Sequence, residues 1–352
     1  MNRTIAIFLA MMLLISTMTG CAGVTVVVGE CDHEIAQDTP VEVAEGAVKT
    51  GLAVVTDISG SVSAAEEDGA AKYDVTLAAV AIDDAGIIRA CTIDSVPATV
   101  NFNAEGVITS DVTAEIPTKN ELGADYGMVA WGGAIAEWDA QVAALAEFAV
   151  GKTVEELKNG AVDETGKAPV GSDLASSATI YLGGYVSAIE AAAANAQHLG
   201  AQAGDELVLA TMASVANSAS ADAETAGNAQ LDVDVTVLTR KDGVITSCYI
   251  DALQAKVAFD AEGGITTDVT AGVRTKNELG ADYGMVAWGG ASAEWNEQAA
   301  SYAAYITGKT AEEVAGIAVS ETTKPADGSD LASSVTIAIG GFRALIAKAM
   351  AK

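Results

Sequence analysis

The chain has 352 residues, half of them hydrophobic and only five of them proline, which excludes a disordered polymer and leaves room for two cores. Its formal charge of −30, from 48 acidic against 18 basic side chains, would repel a phosphate backbone and argues against nucleic acid as a partner. The only histidines are His33 and His198, and no GxSxG, HExxH or CxxC occurs, which excludes a repeated histidine-dependent triad or zinc site.

Arg3 precedes an apolar stretch from Ile5 to Ile15. Eleven residues fall short of the roughly 20 that a spanning helix needs, so the segment reads as a signal peptide. Ser16 to Gly20 and then Cys21 resemble a bacterial lipobox, with Met18 where leucine is commonest. The resemblance implies cleavage after residue 20, a lipid on Cys21, and a mature chain tethered to the membrane at the cell surface or the periplasmic face. Ordinary secretion and a retained anchor are the alternatives. Residues 21–50 form a lead-in. Beyond Cys21 only Cys31, Cys91 and Cys248 remain, which is no disulfide framework.

From there the chain is a tandem duplication, with repeats at 51–197 and 198–352. TKNELGADYGMVAWGGA occurs unchanged at 118–134 and 275–291, an offset of 157 residues. The same offset carries Cys91 onto Cys248, and GSDLASSATI from Gly171 onto GSDLASSVTI from Gly328. The earlier strands match poorly in that ungapped register. Two segments per copy have therefore resisted change, for a shared task or a shared packing requirement. A unit this long exceeds a solenoid repeat of about 20–50 residues, so each copy is expected to own a core.

Each copy opens with strand-like alternation. In the first, Leu52–Ser59, Tyr73–Ile82 and Ile87–Asp94 read as strands, with Thr99–Phe102 and Val107–Thr109 as shorter ones. Asp84-Ala85-Gly86, Ala104-Glu105-Gly106, Asp242-Gly243 and Glu262-Gly263-Gly264 read as turns. Cys91 and Cys248 fall in such strands and read as small buried residues. The retained block then begins a helix, in which Ile135, Trp138, Val142 and Leu145 draw an apolar stripe ended by Gly151. Thr153–Glu156 and Thr310–Glu313 are capping boxes. Gly-Lys-Thr at 151–153 and 308–310 lacks the earlier glycine of a P-loop and sits between helices, so that reading is rejected. A last helix follows Gly183-Gly184 and Gly340-Gly341. Strands followed by helices predict an α+β fold: two tandem copies of an antiparallel sheet covered by helices.

The second retained segment carries the most specific pattern. Asp173-Leu-Ala-Ser176-Ser177-Ala-Thr179 and Asp330-Leu-Ala-Ser333-Ser334-Val-Thr336 resemble the D-x-x-[ST]-G-A-T signature of the FMN-binding domain family. That family includes the flavin-carrying subunits of sodium-pumping quinone reductases and of Rnf-type complexes. The resemblance implies FMN, linked through its phosphate to Thr179 and Thr336 by a flavin transferase. It makes Asp173 and Asp330 the motif acids, with the serines beside them. The family's glycine is Ser177 and Ser334 here, which would be strained if that position needs a positive φ. Ala178 becomes Val335, which would crowd the second site. The whole repeat also resembles a group of bacterial surface lipoproteins that share a K-x-E-L-G-x-x-Y-x-M block and carry no assigned activity.

An attachment hydroxyl must be reachable by an enzyme, and a nearby helix start offers N–H groups to a phosphate. The flavin ring needs flat or polarizable neighbours, for which the first block offers Tyr126, Met128 and Trp131, and again Tyr283, Met285 and Trp288. The alternatives are a polar turn capping the last helix and plain core packing. Gly123, Gly127, Gly132 and Gly133 cost a helix roughly 1 kcal/mol each and ask for a reason. Lys119 and Lys276 could meet a phosphate or be solvated. Glu121 with Asp125, and Glu278 with Asp282, complement a helix dipole or do acid/base work. Three functions stay open: a lipid-anchored extracellular electron carrier with two flavins and membrane or soluble redox partners, a small-ligand binding module, and a structural surface protein in which Trp131 is a buried anchor.

Overall fold

The computed structural model describes residues 46–352; the signal segment, Cys21, Cys31 and His33 lie outside them. The fold is α+β. The first copy runs β1 (Lys49–Asp57), β2 (Gly69–Ile82), β3 (Ile88–Phe102), α1 (Lys119–Leu122), α2 (Trp138–Ala149), α3 (Val154–Ala161), α4 (Asp173–Ser177) and α5 (Gly183–Ala194). The second runs β4 (Glu206–Ser214), β5 (Gly227–Lys241), β6 (Val244–Phe259), α6 (Lys276–Leu279), α7 (Trp295–Ile306), α8 (Ala311–Ala315) and α9 (Gly340–Ala351). Each copy forms a three-stranded antiparallel meander, β1-β2-β3 and β4-β5-β6.

The strands are apolar on both faces, and the two faces have different partners. Along β2, Ala78, Val80 and Ile82 turn toward Trp138, Val142 and Leu145 of α2 and Ile189 of α5. Tyr73, Val75 and Leu77 turn the other way, into one core shared with Leu231, Val233 and Val235 of β5. The layers run helix, sheet, sheet, helix. Each copy thus owns a helix-side core and holds the second in common with its twin.

That common core has two-fold symmetry. Phe102 and Phe259, equivalent residues, stack on each other with ring centroids 4.1 Å apart and planes at 2°. Ala64 N–H donates to the Gly263 carbonyl at 2.8 Å, and Ala221 N–H to the Gly106 carbonyl at 2.8 Å. Ile108 and Ile265 donate reciprocally to Ser220 and Ser63. The two glycines have φ of +66° and +71°, and a Cβ at either would lie under 3.0 Å from the other copy. This is the self-complementary contact of a two-fold dimer, built within one chain.

Two sequence expectations are revised. β3 is a single strand of 15 residues, continuous through Pro97, which an edge strand tolerates because the missing N–H faces away from the ladder. Residues 107–109 contribute only a bridge, Phe102 to Ile108. The strands also correspond better than an ungapped comparison suggests. Asp74 pairs with Pro97 and Asp232 with Gln254, so β2 matches β5 at an offset of 158 residues. The second β-hairpin turn is one residue shorter, with Asp242 and Gly243 at φ of +52° and +79°, the two-residue turn that matches strand twist.

Candidate functional site

The retained first block is not the start of a long helix. It makes one turn, α1, then a 3-10 turn over Gly123–Tyr126, then a loop. The glycines make this path possible. Gly123, Gly127 and Gly133 have positive φ, and a Cβ on Gly127 would lie 2.5 Å from the Trp131 indole that rests on it. Helix α2 starts only at Trp138, and Ile135 is 59% exposed rather than part of the apolar stripe. Glu121 closes a capping box with Thr118, and Glu278 one with Thr275. The helix-start role of these two acids is the one their geometry serves. Asp125 and Asp282 lie in the following 3-10 turns.

Both retained segments dock on the first turns of α2, through two side chains four residues apart. Glu137, at its N-cap, accepts the Met128 and Val129 N–H groups at 2.8 and 3.0 Å. Gln141, fully buried, accepts the Thr179 and Ile180 N–H groups at 2.8 and 3.2 Å and donates to the Ala136 carbonyl at 2.8 Å. On the second copy Glu294 holds Met285 and Val286 at 2.9 and 3.1 Å, and Gln298 holds Thr336 and Ile337 at 2.8 and 3.2 Å. Side chains four apart share one helix face, about 5–6 Å from each other at Cβ. The aromatic block and the signature threonine are therefore pinned to adjacent points, twice. Their acceptors stand in A-E-W-D-A-Q and A-E-W-N-E-Q, just beyond the identical block. They went unnoticed because Glu and Gln on an acidic surface carry no motif, although the 157-residue offset marks them.

The threonine segment is a capped turn with a buried underside. Ser172 accepts from Ala175 N–H at 3.2 Å, and Ser329 from Ala332 N–H at 3.3 Å. Leu174, Ala178, Leu331 and Val335 are buried, while Thr179 and Thr336 are exposed. Val335 fills the helix-side core, so it does not crowd Thr336. Ser334 has φ of −117° and Ser177 ends α4, so neither serine is strained. Ser176 and Ser333 spend their hydroxyls on the Asp173 and Asp330 carbonyls at 2.6 and 2.7 Å. Asp173 and Asp330 are exposed.

An open groove of about 730 Å³ runs beside the first threonine, lined by Lys167, Ser172, Asp173, Ser176 and Thr179 among others. Lys167 and its equivalent Lys324 are exposed and were missed in the sequence. Lys119 is buried and Lys276 half-buried, each against aromatic rings, and Lys119 also pairs with Asp74 at 3.7 Å. Lys119 is 7% exposed, its ammonium 5.3 Å from the Tyr126 ring centre and 5.2 Å from that of Trp138. Lys276 sits likewise between Tyr283 and Trp295 at 5.0 and 5.1 Å.

The aromatic candidates divide. Tyr126, Met128, Tyr283 and Met285 pack against the helix-side cores. Trp131 and Trp288 stand out at 84% and 85% exposed. None of the first copy's three lines the threonine groove, and Trp131 is not a buried anchor.

Beneath the block lie two buried carboxylates, also missed. Asp94 and Asp251 each accept an N–H at 3.1 Å, from Asn120 and Asn277, tying the block to the sheet. Burial raises both pKa values, that of Asp251 to about 6. The Cys91 and Cys248 thiols are pushed up to about 12, again by burial. Both are free, with Cys248 fully buried and Cys91 half-buried. Among the described residues no cluster of histidine, cysteine and carboxylate could hold a metal, and no helix is long and apolar enough to cross a membrane.

No protein-family model matches the chain, and neither a curated protein nor a solved structure matches it.

Proposed function

We propose that the chain is a lipid-anchored electron carrier with two covalently held flavins, one on Thr179 and one on Thr336. One observation carries this reading. In both copies the threonine that ends the signature is exposed, on a loop whose N–H is held by a buried glutamine that also accepts the threonine hydroxyl at 3.4 and 3.2 Å. One helical turn away, a glutamate holds the loop that bears an exposed tryptophan.

The residues fit FMN. Thr179 is exposed, so a transferase would have only the 3.4 Å contact of its hydroxyl with Gln141 Oε1 to displace, and the groove beside it is within the roughly 300–1,000 Å³ usual for small-molecule sites. Lys167 supplies a cation to offset the phosphodiester's charge in an otherwise acidic chain. Attachment would form a bond from the threonine oxygen to phosphorus. A pyrophosphate bond in a flavin dinucleotide donor would break, AMP would leave, and the hydroxyl proton would be released. The bound flavin would supply the redox chemistry. The chain's part is positional: Gln141 and Gln298 fix each attachment loop, and Trp131 and Trp288 offer flat, polarizable surface at a neighbouring point. Anchoring through Cys21 would place both carriers outside the cytoplasm, between membrane donors and soluble acceptors.

The test is protein co-produced with a flavin transferase, denatured and run on a gel. In-gel flavin fluorescence should survive denaturation, halve in Thr179→Ala or Thr336→Ala, and vanish in the double variant. Fluorescence that persists undiminished in the double variant rejects these attachment sites.

A second reading, a binding module without covalent cofactor, is favoured by the separation of the exposed indoles from the threonine groove. It predicts a colourless protein, with ligand-induced thermal shifts that Trp131→Ala and Trp288→Ala abolish.

A further inference from the structure

A different pair of clefts lies between the sheet edge and the long helix of each copy, independent of the threonines. The first, about 290 Å³, has Cys91 and Ile93 of β3 as its floor, with Asn120, Asp139 and Glu147 in its walls. The second, about 540 Å³, has Cys248 and Ile250 of β6 as its floor, with Asn277, Asn296 and Ala304 in its walls. The two occupy equivalent places, so the differences between them arise within one chain.

Two of those substitutions remove an acid, and Thr92 gives way to Tyr249. Asp139 is replaced by Asn296, Glu147 by Ala304 and Val150 by Thr307. Both acids have gone in a chain that keeps a charge of −30, and the space has grown. The linker residues Gln197, His198 and Leu199 also line the second cleft, with His198 tethered to Asp84 at 3.0 Å. The lining is then a floor of thiol and isoleucine with Tyr249 between them, alanine methyls on the helix with Thr307 at its end, and carboxamides. The Asn296 Oδ1 has no hydrogen-bond partner. The Asn277 Nδ2 donates to the Ile250 carbonyl at 2.9 Å, which fixes that side chain. The Cys248 thiol is held in its protonated form by burial, so the floor offers neither a nucleophile nor a metal ligand. Apart from His198, whose ring is paired with Asp84, the cleft offers apolar surface and neutral hydrogen-bonding groups, which select against ions.

We propose that the cleft between β6 and α7 is a second binding site, specific to the second copy, for a small uncharged molecule with an apolar body and a hydrogen-bond donor such as an amide N–H.

Benzamide serves as the probe, with benzoate and benzylammonium as charged analogues of similar shape. Amide resonances of the whole isotope-labelled chain report which residues respond. Benzamide should shift Asn277, Asn296, Ala300 and Thr307 while leaving their equivalents Asn120, Asp139, Ala143 and Val150 in place. The Asn296→Asp, Ala304→Glu variant imports residues that the first copy already carries, and should weaken binding about tenfold or more, a change of about 1.4 kcal/mol. Ala304 is exposed, so Ala304→Leu fills the cleft from the solvent side and should also block the probe. The proposal fails if benzamide shifts none of the four residues. It fails equally if benzoate binds as well as benzamide, or if both variants bind as tightly as the parent.

Discussion

The two copies agree at some points and part at others, and the pattern separates what the fold requires from what each copy does. They agree where Glu137 and Glu294, Gln141 and Gln298, and Asp94 and Asp251 gather the retained segments onto helix and sheet. They part along the β3–α2 and β6–α7 clefts, where acids, volume and a covering linker differ. An anchored, buried hydrogen-bonding residue is hard to replace because its partners would be left unpaired. A cleft wall is free to drift or to specialise.

The largest effect should come from the shared symmetry element. Phe102→Ala or Phe259→Ala should each cost about 3–5 kcal/mol by chemical unfolding. The double variant should fall short of the sum, because each ring packs on the other. Fully additive costs would break the picture of one common core.

Next come the glutamines. Gln141→Ala and Gln298→Ala each strand two N–H groups and should cost about 2–3 kcal/mol, equally in both copies. Each should also lower flavin attachment at its own threonine alone. A copy that tolerates the change would show that its attachment loop is held by something else.

The buried aspartates sharpen the comparison. A carboxyl whose folded pKa lies above its unfolded value of 3.8 holds its proton more tightly in the fold. Stability therefore falls as pH rises from about 3.8 to about 6 for Asp251, and is level above that. Asp251→Asn should raise the melting temperature at pH 7.5, with the gain fading below about pH 4. The nearby Lys352 charge favours ionised Asp94, so Asp94→Asn should gain less. An equal gain for both would contradict the asymmetry.

The smallest effect on stability should come from the most conspicuous side chains. Trp131→Ala and Trp288→Ala, at exposed positions, should change unfolding free energy by no more than about 0.5 kcal/mol. Flavin fluorescence in the folded protein should nevertheless change. A loss of several kcal/mol would restore the reading of a structural anchor.

Much of this was legible in the sequence, for reasons that can be named. Period-two alternation and Asp-Gly turns gave the meander, and the Thr-x-x-Glu boxes gave the starts of α3 and α8. The retained block misled because the apolar stripe of Trp138, Val142 and Leu145 that follows it is extended backward by Ile135, while the block's glycines are there for positive φ and close approach. The sheet-on-sheet core was hidden because alternation says which residues share a face but not what covers it. The one-residue slip that realigns β2 with β5 needs a pairing register to be seen. At the site, the threonines were found through a motif, whereas Gln141, Glu137 and Lys167 acquire meaning only from what they touch.

The most direct test of the central claim is the intact mass of the mature chain produced with and without a flavin transferase. The account predicts two additions of one FMN each with the enzyme, a single addition in Thr179→Ala or in Thr336→Ala, and none when both are changed. An unmodified mass in the presence of active transferase, or additions that persist in the double variant, would contradict it.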